Sequence, residues 1–463
     1  MKRASCLHKV LIGLEKDYLN LLLLTNSLSL YLYLFWDSLV KGMPALSGGP
    51  ADPLFIKADR FMDWINTLHS AGLTRPYDLE NQVAMPVYGP LTYVALKPLS
   101  IALNAMPSSI EISRILWLAI TGIVLASVLR NVVTIRAALH PDGQSVSPLL
   151  LATALLLGYP FLFAFDRGNL ELITFGLVSW FLALIIQRRK EHTPDIQRFL
   201  SISRSEFVLA LAVCIKPYTL LFAICSSGHD PSDRRTQLRQ AAGVITRILG
   251  LAIVLSILSM TILYQGDVAL GYSELSHWQQ EFRASYVIGT AGDKFFSSPY
   301  IAIKSIILWL SSPDWLLGVL VKVYPVVVLA YCSIAFLALT CIPYRRIPYR
   351  VGLIILLTAI IVTLMLFPFN ANEYKAIYAL LPFTIAYRGP ETPSDALISQ
   401  SPSGEGLIRA QSLAIALCFV LLVNRYGLLG IGTLASLLSS LAVALFPLLL
   451  FRTLSDESRI DVS

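Results

Sequence analysis

Residues Leu149 to Ile186 read LLLATALLLGYPFLFAFDRGNLELITFGLVSWFLALII, two apolar runs joined by the polar corner Asp166-Arg167-Gly168-Asn169. Each run, Leu149–Phe165 and Leu170–Ile186, holds about 17 residues, enough for an α-helix to cross a hydrocarbon core of about 30 Å. Backbone amides in lipid have only one another as partners, so such a run must be helical. Gly168 permits a tight turn between two antiparallel helices, and Asn169 is placed to cap the second. The stretch therefore predicts a membrane-spanning hairpin and, with it, an all-α fold. Asp166 and Arg167 have a simple reading as a pair that solvates the turn. Glu171 is different, because it falls inside the first turn of an apolar run. There it serves either the positive end of the helix or a polar cavity.

The rest of the chain repeats the pattern. Of its 463 residues, 56% are hydrophobic and 14% charged, where soluble domains carry roughly 25% charged residues. Further apolar stretches lie at Leu19–Phe35, Ile112–Val133, Ile248–Tyr264, Pro313–Leu339, Gly352–Phe367, Tyr374–Tyr387, Ile408–Val423 and Leu428–Phe451. Glu206–Ser226 is also apolar, but Lys216-Pro217 at its centre predicts two short half-spans meeting at a polar tip, the first extended upstream from about Phe199. This gives a polytopic all-α membrane protein of about twelve spans, the first of them expected to be retained because no small-residue cleavage site follows it. Leu91–Met106, interrupted by Pro98 and flanked by Pro90 and Pro107, is expected to be a juxtamembrane helix on the outer surface.

Arginine clusters orient the chain. Arg130/Arg136, Arg188/Arg189/Lys190, Arg234/Arg235/Arg239/Arg247 and Arg345/Arg346/Arg350 are expected to face the cytoplasm. Both termini then lie inside, and the loops Asp37–Pro90 and Tyr264–Pro299 and the FDRGN corner lie outside. The net charge of +7 follows from these flanking arginines, so no nucleic-acid partner is expected. Cysteines 6, 214, 225, 332, 341 and 418 form no CxxC spacing and predict neither a disulfide framework nor a zinc site. Residues 1–387 are expected to form the transmembrane module, the Pro- and Ser-rich 388–407 a cytoplasmic linker, and 408–463 the last helices and a short tail.

Polar outliers gather on the outer side. In KADRFMDWINT, Lys57 to Thr67, a helix would put Asp59 and Asp63 on one face with Asn66 beside them. Neighbouring carboxylates near a low-dielectric surface repel, which suits one of them to general-base work; an interfacial amphipathic helix with its acids in water is the plainer alternative. Tyr77, Tyr88 and Tyr93 suit headgroup anchors, and Lys97 either meets a lipid phosphate or snorkels. Lys216 is the strongest outlier, an ammonium at a broken-helix tip with no local carboxylate, suited to a phosphate. His277, Trp278 and Arg283 suit a sugar or a surface helix, and Glu373, Tyr374 and Lys375 open another span. No Gly-rich phosphate loop, HExxH, GxSxG or His/Cys cluster is present.

Taken in order, FMDWIN, YGPLTYVALKPLS, FDRGN, IKPY, FSSPYIAIKSI and EYKAIYALLPF resemble the polyprenol-phosphate-sugar-dependent glycosyltransferases of the GT-C superfold, and family 87 among them. The resemblance runs from about Asp59 to Phe383. It departs at Gly89-Pro90, where members commonly carry two prolines. It implies a GT-C-like bundle that transfers a sugar, mannose being the family's commonest, from a polyprenyl-phosphate donor to a lipid or glycan acceptor. Transfer takes place on the non-cytoplasmic face with inversion. An aspartate of the first outer loop is the base, here Asp59 or Asp63. Lys216, Lys97 and Arg167 are the cations available for the donor phosphate. Glu171, Asn66, His277, Trp278, Arg283, Glu373, Tyr374 and Lys375 are the candidates for the sugar and acceptor. No metal-ligand spacing stands out, although Asp59, Asp63 and Glu171 are acids that a divalent cation could share, as in some enzymes of the superfold. A flippase of lipid-linked sugars and a polysaccharide polymerase or ligase are the competing readings. The first would spread its polar residues along a path through the membrane, and the second would use an oligosaccharide-diphosphate donor.

Overall fold

The structure, a computed structural model, describes residues 21–28, 61–81, 87–107, 109–139, 147–190, 202–226, 234–288, 299–310, 314–341, 349–366, 373–386, 402–422, 440–446 and 448–449. Every regular element among them is helical. In chain order the principal helices are α1 (Met62–Gly72), α2 (Pro90–Asn104), α3 (Ser109–Leu139), α4 (Pro148–Leu157), α5 (Tyr159–Arg167), α6 (Glu171–Lys190), α7 (Arg204–Ile215), α8 (Arg234–Leu263), α9 (Val268–Phe282), α10 (Pro299–Trp309), α11 (Asp314–Cys341), α12 (Tyr349–Leu366), α13 (Leu380–Ala386) and α14 (Pro402–Leu422). Shorter 3-10 segments cover Pro217–Ser226 and Glu373–Ala379.

The all-α class agrees with the sequence, whereas the number of full-length spans is smaller among the described residues. Helices α3, α6, α8 and α12 are long and apolar enough to cross a bilayer; α4 and α5 make a fifth if taken together. That pair is bent by 69°, so Leu149–Phe165 is not one straight helix. Its α4 ends at Gly158, whose N–H bonds back to Leu155, and Pro160 stands in the first turn of α5. Helix α11, 28 residues from Asp314 to Cys341, contains Pro325. The expected spans Leu19–Phe35 and Leu428–Phe451 lie largely outside the described residues. The helix α14 begins at Pro402, five residues before the end expected for the linker.

The chain divides into two compact units, Pro53–Thr134 with Phe163–Ala291, and Met1–Asp52 with Ile135–Leu162 and Gly292–Ser463. In the first unit, α1 packs on α2, α2 on α8, and α7 lies between α6 and α8. Trp64 of α1 and Trp117 of α3 are fully buried with ring centroids 5.4 Å apart. Trp64 donates its indole N–H to the Ser113 carbonyl at 2.9 Å, and Trp117 donates to the Phe165 carbonyl at 3.0 Å. These bonds satisfy the one polar atom of each large ring and tie α1, α3 and the end of α5 together. Deeper in the apolar sequence, Asn131 of α3 donates to Ser179 Oγ of α6 at 3.0 Å.

The break at Lys216 follows the sequence. Pro217 has no N–H to continue the helix, Lys216 turns to extended backbone (φ −138°, ψ 101°), and the chain resumes as the 3-10 segment. At the other end of α7 the expectation of an upstream extension is corrected. Ser203 adopts extended backbone (φ −76°, ψ 158°) and forms a capping box with Glu206, which starts the helix at Arg204.

In the second unit, α12 packs against α13, α14 and the segment Glu373–Ala379. Tyr324 donates to the Leu366 carbonyl at 3.1 Å and Asn26 to the Leu422 carbonyl at 3.3 Å. Arg136, at the end of α3, donates to the Thr384 carbonyl.

Candidate functional site

The site grows from the FDRGN corner. The Gly168 N–H bonds to the Phe165 carbonyl at 3.0 Å and the Asn169 N–H to the Ala164 carbonyl at 2.8 Å, the paired bonds of a Schellman ending for α5. Gly168 has φ +72°, and a Cβ there would stand 2.7 Å from Trp64 Cβ and 3.0 Å from Phe61 Cα. Only glycine allows both the turn and the close seat of the corner on the start of α1. The Phe61 N–H completes that seat by donating to the Asp166 carbonyl at 2.7 Å. Phe61 itself sits in the left-handed region (φ 61°, ψ 21°), a conformation costing roughly 1–3 kcal/mol for a non-glycine residue. Its ring is buried and meets Phe165 edge-on at 5.5 Å.

This entry turns Asp63, in the first turn of α1, toward the corner. Arg167 Nη2 lies 3.1 Å from Asp63 Oδ1, and Asn169 Nδ2 donates to Oδ2 at 2.8 Å. Arg167 thus reaches across the corner to Asp63, while Asp166 itself is buried. Arg167 is consequently the partner of the acid before it is anything to a phosphate. Asn169 is fixed from its other side, since its Oδ1 accepts the Glu171 N–H at 2.9 Å. The cap of α6 therefore also aims an amide at Asp63. The Asp63 side chain remains 20% exposed, and each of its oxygens keeps a second lone pair.

Glu171 is fully buried. Its Oε2 accepts from the Tyr218 hydroxyl, and its Oε1 from Thr174 Oγ1 at 3.3 Å. Lys216 lies two residues before Tyr218, and Glu171 and Asp63 are the carboxylates that act on it electrostatically. Its Nζ stands 4.3 Å from the centroid of the Tyr88 ring, a cation–π arrangement. Among the described residues this ammonium makes no hydrogen bond or ion pair, which leaves three N–H donors open.

Tyr88 was legible only as a headgroup anchor, together with Tyr77 and Tyr93. All three are instead buried. The Tyr88 hydroxyl accepts the Leu170 N–H at 3.1 Å, and its carbonyl accepts from the Tyr77 hydroxyl at 2.8 Å. Burial pushes the Tyr77 phenol well above its usual range, with Tyr93, Tyr264 and Tyr272 adding to the effect, so it stays a donor. The Tyr264 phenol is likewise pushed up to about 12 by burial; it donates to Glu274 at 2.7 Å while accepting the Tyr77 N–H at 3.3 Å. Beside Tyr88, Gly89 is needed for close approach: a Cβ there would lie 2.0 Å from the Cys214 carbonyl, two residues before Lys216.

The remaining candidates are distributed more widely. Asn66 is half-buried one turn along α1 from Asp63, on the same face. Lys97 is half-buried on α2 and makes no bond to this network. His277 and Arg283 are exposed, at α9 and just beyond it, with His277 4.0 Å from Glu281. Trp278 stacks near Phe282 at 5.6 Å, and its buried indole N–H has no hydrogen-bond partner among the described residues. Glu373 and Tyr374 open the 3-10 segment of the second unit, where Lys375 is buried. Asp63 and Glu171 accept from separate donors, and no group of three or more His, Cys, Asp or Glu side chains gathers among the described residues; Asp59, the third acid of the expected set, lies outside them.

Sequence reading missed Tyr88 and Tyr218, and assigned Asn169 only to the cap. For Tyr218 a signal existed, its place next to the Lys216-Pro217 break. Set against known proteins, the chain has no match among family models, curated proteins or solved structures.

Proposed function

We propose that this site performs glycosyl transfer on the non-cytoplasmic face of a membrane, from a polyprenyl-phosphate sugar to a lipid or glycan acceptor. The observation that carries the proposal is an oriented acid beside an ammonium without an ion pair. Asp63 is held by Arg167 and Asn169, and Lys216 keeps its donors open next to Tyr88. The ordered motifs that resemble glycosyltransferase family 87 supply the reaction.

A glycosyl phosphate already carries an anionic leaving group, so the chemistry needs a base on one side of the anomeric carbon and positive charge on the other. The aspartate takes the proton of the acceptor hydroxyl as its oxygen attacks the anomeric carbon. The bond from that carbon to the phosphate oxygen breaks, and polyprenyl phosphate leaves with an added negative charge, which Lys216 meets. One carboxylate suffices, unlike the acid pair of glycoside hydrolysis. Asp63 is the base on this reading, with Asp59 the alternative from the same loop.

Membranes from overexpressing cells, given labelled polyprenyl-phosphate mannose, glucose or arabinose, test the proposal. The wild type is expected to use one of these donors and release polyprenyl phosphate. Asp63→Asn is expected to lower kcat by about a thousandfold, within the range of a lost general base. Full activity in both Asp63→Asn and Asp59→Asn would overturn the proposal. Sugar-lipid translocation without cleavage of the phosphate bond would favour a flippase instead.

A further inference from the structure

Three consecutive residues at the start of α6 each reach a different side chain of the site. Asn169 donates to Asp63 at 2.8 Å, the Leu170 N–H donates to the Tyr88 hydroxyl at 3.1 Å, and Glu171 accepts from the Tyr218 hydroxyl. The first serves the acid. The other two both serve the surroundings of Lys216, for Tyr88 is the ring that its ammonium faces and Tyr218 belongs to the same turn of chain. That turn is short. The Lys216 carbonyl accepts from the Thr219 N–H at 3.0 Å and from Thr219 Oγ1 at 2.8 Å, while Pro217 prevents a continued helix. Fixing Tyr218 therefore fixes the backbone from which Lys216 projects.

Glu171 is suited to anchoring rather than reaction. Its side chain is shut away from solvent; its Oε2 accepts from the Tyr218 hydroxyl, whereas Thr174 Oγ1 lies 2.9 Å from the Glu171 carbonyl and 3.3 Å from Oε1 and shares its one proton between them. A carboxylate buried in this way depends on its charge-assisted bond to Tyr218. It holds the Tyr218 hydroxyl firmly for the same reason.

Resting on the assignment of Lys216 to the donor phosphate, we infer that Tyr218 is a positioning residue whose hydroxyl bond to Glu171 aims the Lys216 ammonium at that phosphate. Tyr218 acts on binding of the anion without touching it.

The test uses the full-length chain in detergent and two probes, farnesyl phosphate and uncharged farnesol. Tyr218→Phe keeps the ring and removes the hydroxyl, and it is expected to weaken farnesyl phosphate binding by about tenfold, the scale of one charge-assisted bond, with farnesol binding unchanged. Lys216→Gln is expected to lose at least as much. The double variant should bind no more weakly than Lys216→Gln alone, since a residue that acts through Lys216 has nothing to act on once the ammonium is gone. Glu171→Gln retains an oxygen that accepts from Tyr218, so its loss of farnesyl phosphate binding should be smaller than that of Tyr218→Phe. Glu171→Leu removes both acceptor oxygens and is expected to lose as much as Tyr218→Phe; it carries the test if the phenylalanine variant does not fold, and wild-type farnesyl phosphate affinity in it would then overturn the inference. If Lys216→Gln weakens binding and Tyr218→Phe does not, the inference falls and the phosphate assignment stands. If Lys216→Gln binds farnesyl phosphate as the wild type does, the assignment falls and takes the inference with it. Equal loss of both probes in Tyr218→Phe, or a further loss on the Lys216→Gln background, would make Tyr218 a residue of the fold alone and overturn the inference.

Discussion

The two ends of α7 carry charged residues to opposite effect. At its start, Glu206 is closed on every side. One oxygen accepts the Ser203 N–H at 2.8 Å, and the other receives Arg247 through Nε at 3.0 Å and Nη2 at 2.6 Å. At its end, Lys216 stands over an aromatic ring, and the two acids that act on it are bonded to other donors. Burial makes any unmatched charge costly, so a protein built only for stability would treat both ends alike. On the proposed function, the difference separates a pair that holds the helix from a cation held ready for the donor phosphate.

The largest effect should come from the corner that supports the open end. Gly168→Ala places a Cβ 2.7 Å from Trp64 Cβ at a φ of +72°, combining overpacking with a strained backbone. A loss of about 3 kcal/mol is expected, read as a lower melting temperature together with lost transfer activity. An alanine variant as stable as the wild type would break the claim that α5 ends against α1. Next comes Lys216→Gln, for which kcat/KM on the donor should fall about a hundredfold, or about 2.7 kcal/mol of transition-state stabilisation. Its melting temperature should hold or rise, because an unpaired charge is removed. Lost stability with retained kcat/KM would make the two ends alike after all.

Much of this contrast was legible in the sequence, and the part that was not has a physical cause. Pro217 announces the break because its missing N–H acts locally, and Gly168 announces the corner for a similar reason. The apolar runs announce helices through their length. The partners of the charges are another matter. Arg167 and Asp63 are joined across 104 positions of sequence, and which acid a guanidinium reaches is decided by how α1 seats on α5, a packing outcome without local signature. The tyrosines mislead in the same way. Tyr77, Tyr88 and Tyr93 have the composition of a headgroup belt, yet their hydroxyls find partners within the unit, so burial is permitted. The straight span expected at Leu149–Phe165 fails at Gly158 and Pro160, where apolar content alone gives no warning of a bend.

The closed end offers the sharpest remaining division. Removing one member of a fully buried ion pair costs roughly 3–5 kcal/mol, because the other charge is left alone. Arg247 is 27% exposed and Glu206 only 7%, so water can replace part of what the guanidinium supplied, and Arg247→Met should cost less, about 2 kcal/mol. Methionine keeps the apolar stem and removes the charge, which confines the change to Glu206. The remaining bonds of that carboxylate come from the capping box, so the start of α7 should fray while its end stays pinned through Tyr218 and Glu171. Melting temperature should therefore fall with kcat/KM on the donor unchanged, the reverse of the outcome expected for Lys216→Gln. If Arg247→Met instead lowers kcat/KM at unchanged stability, α7 transmits charge from one end to the other, and the division between a structural end and a working end is lost.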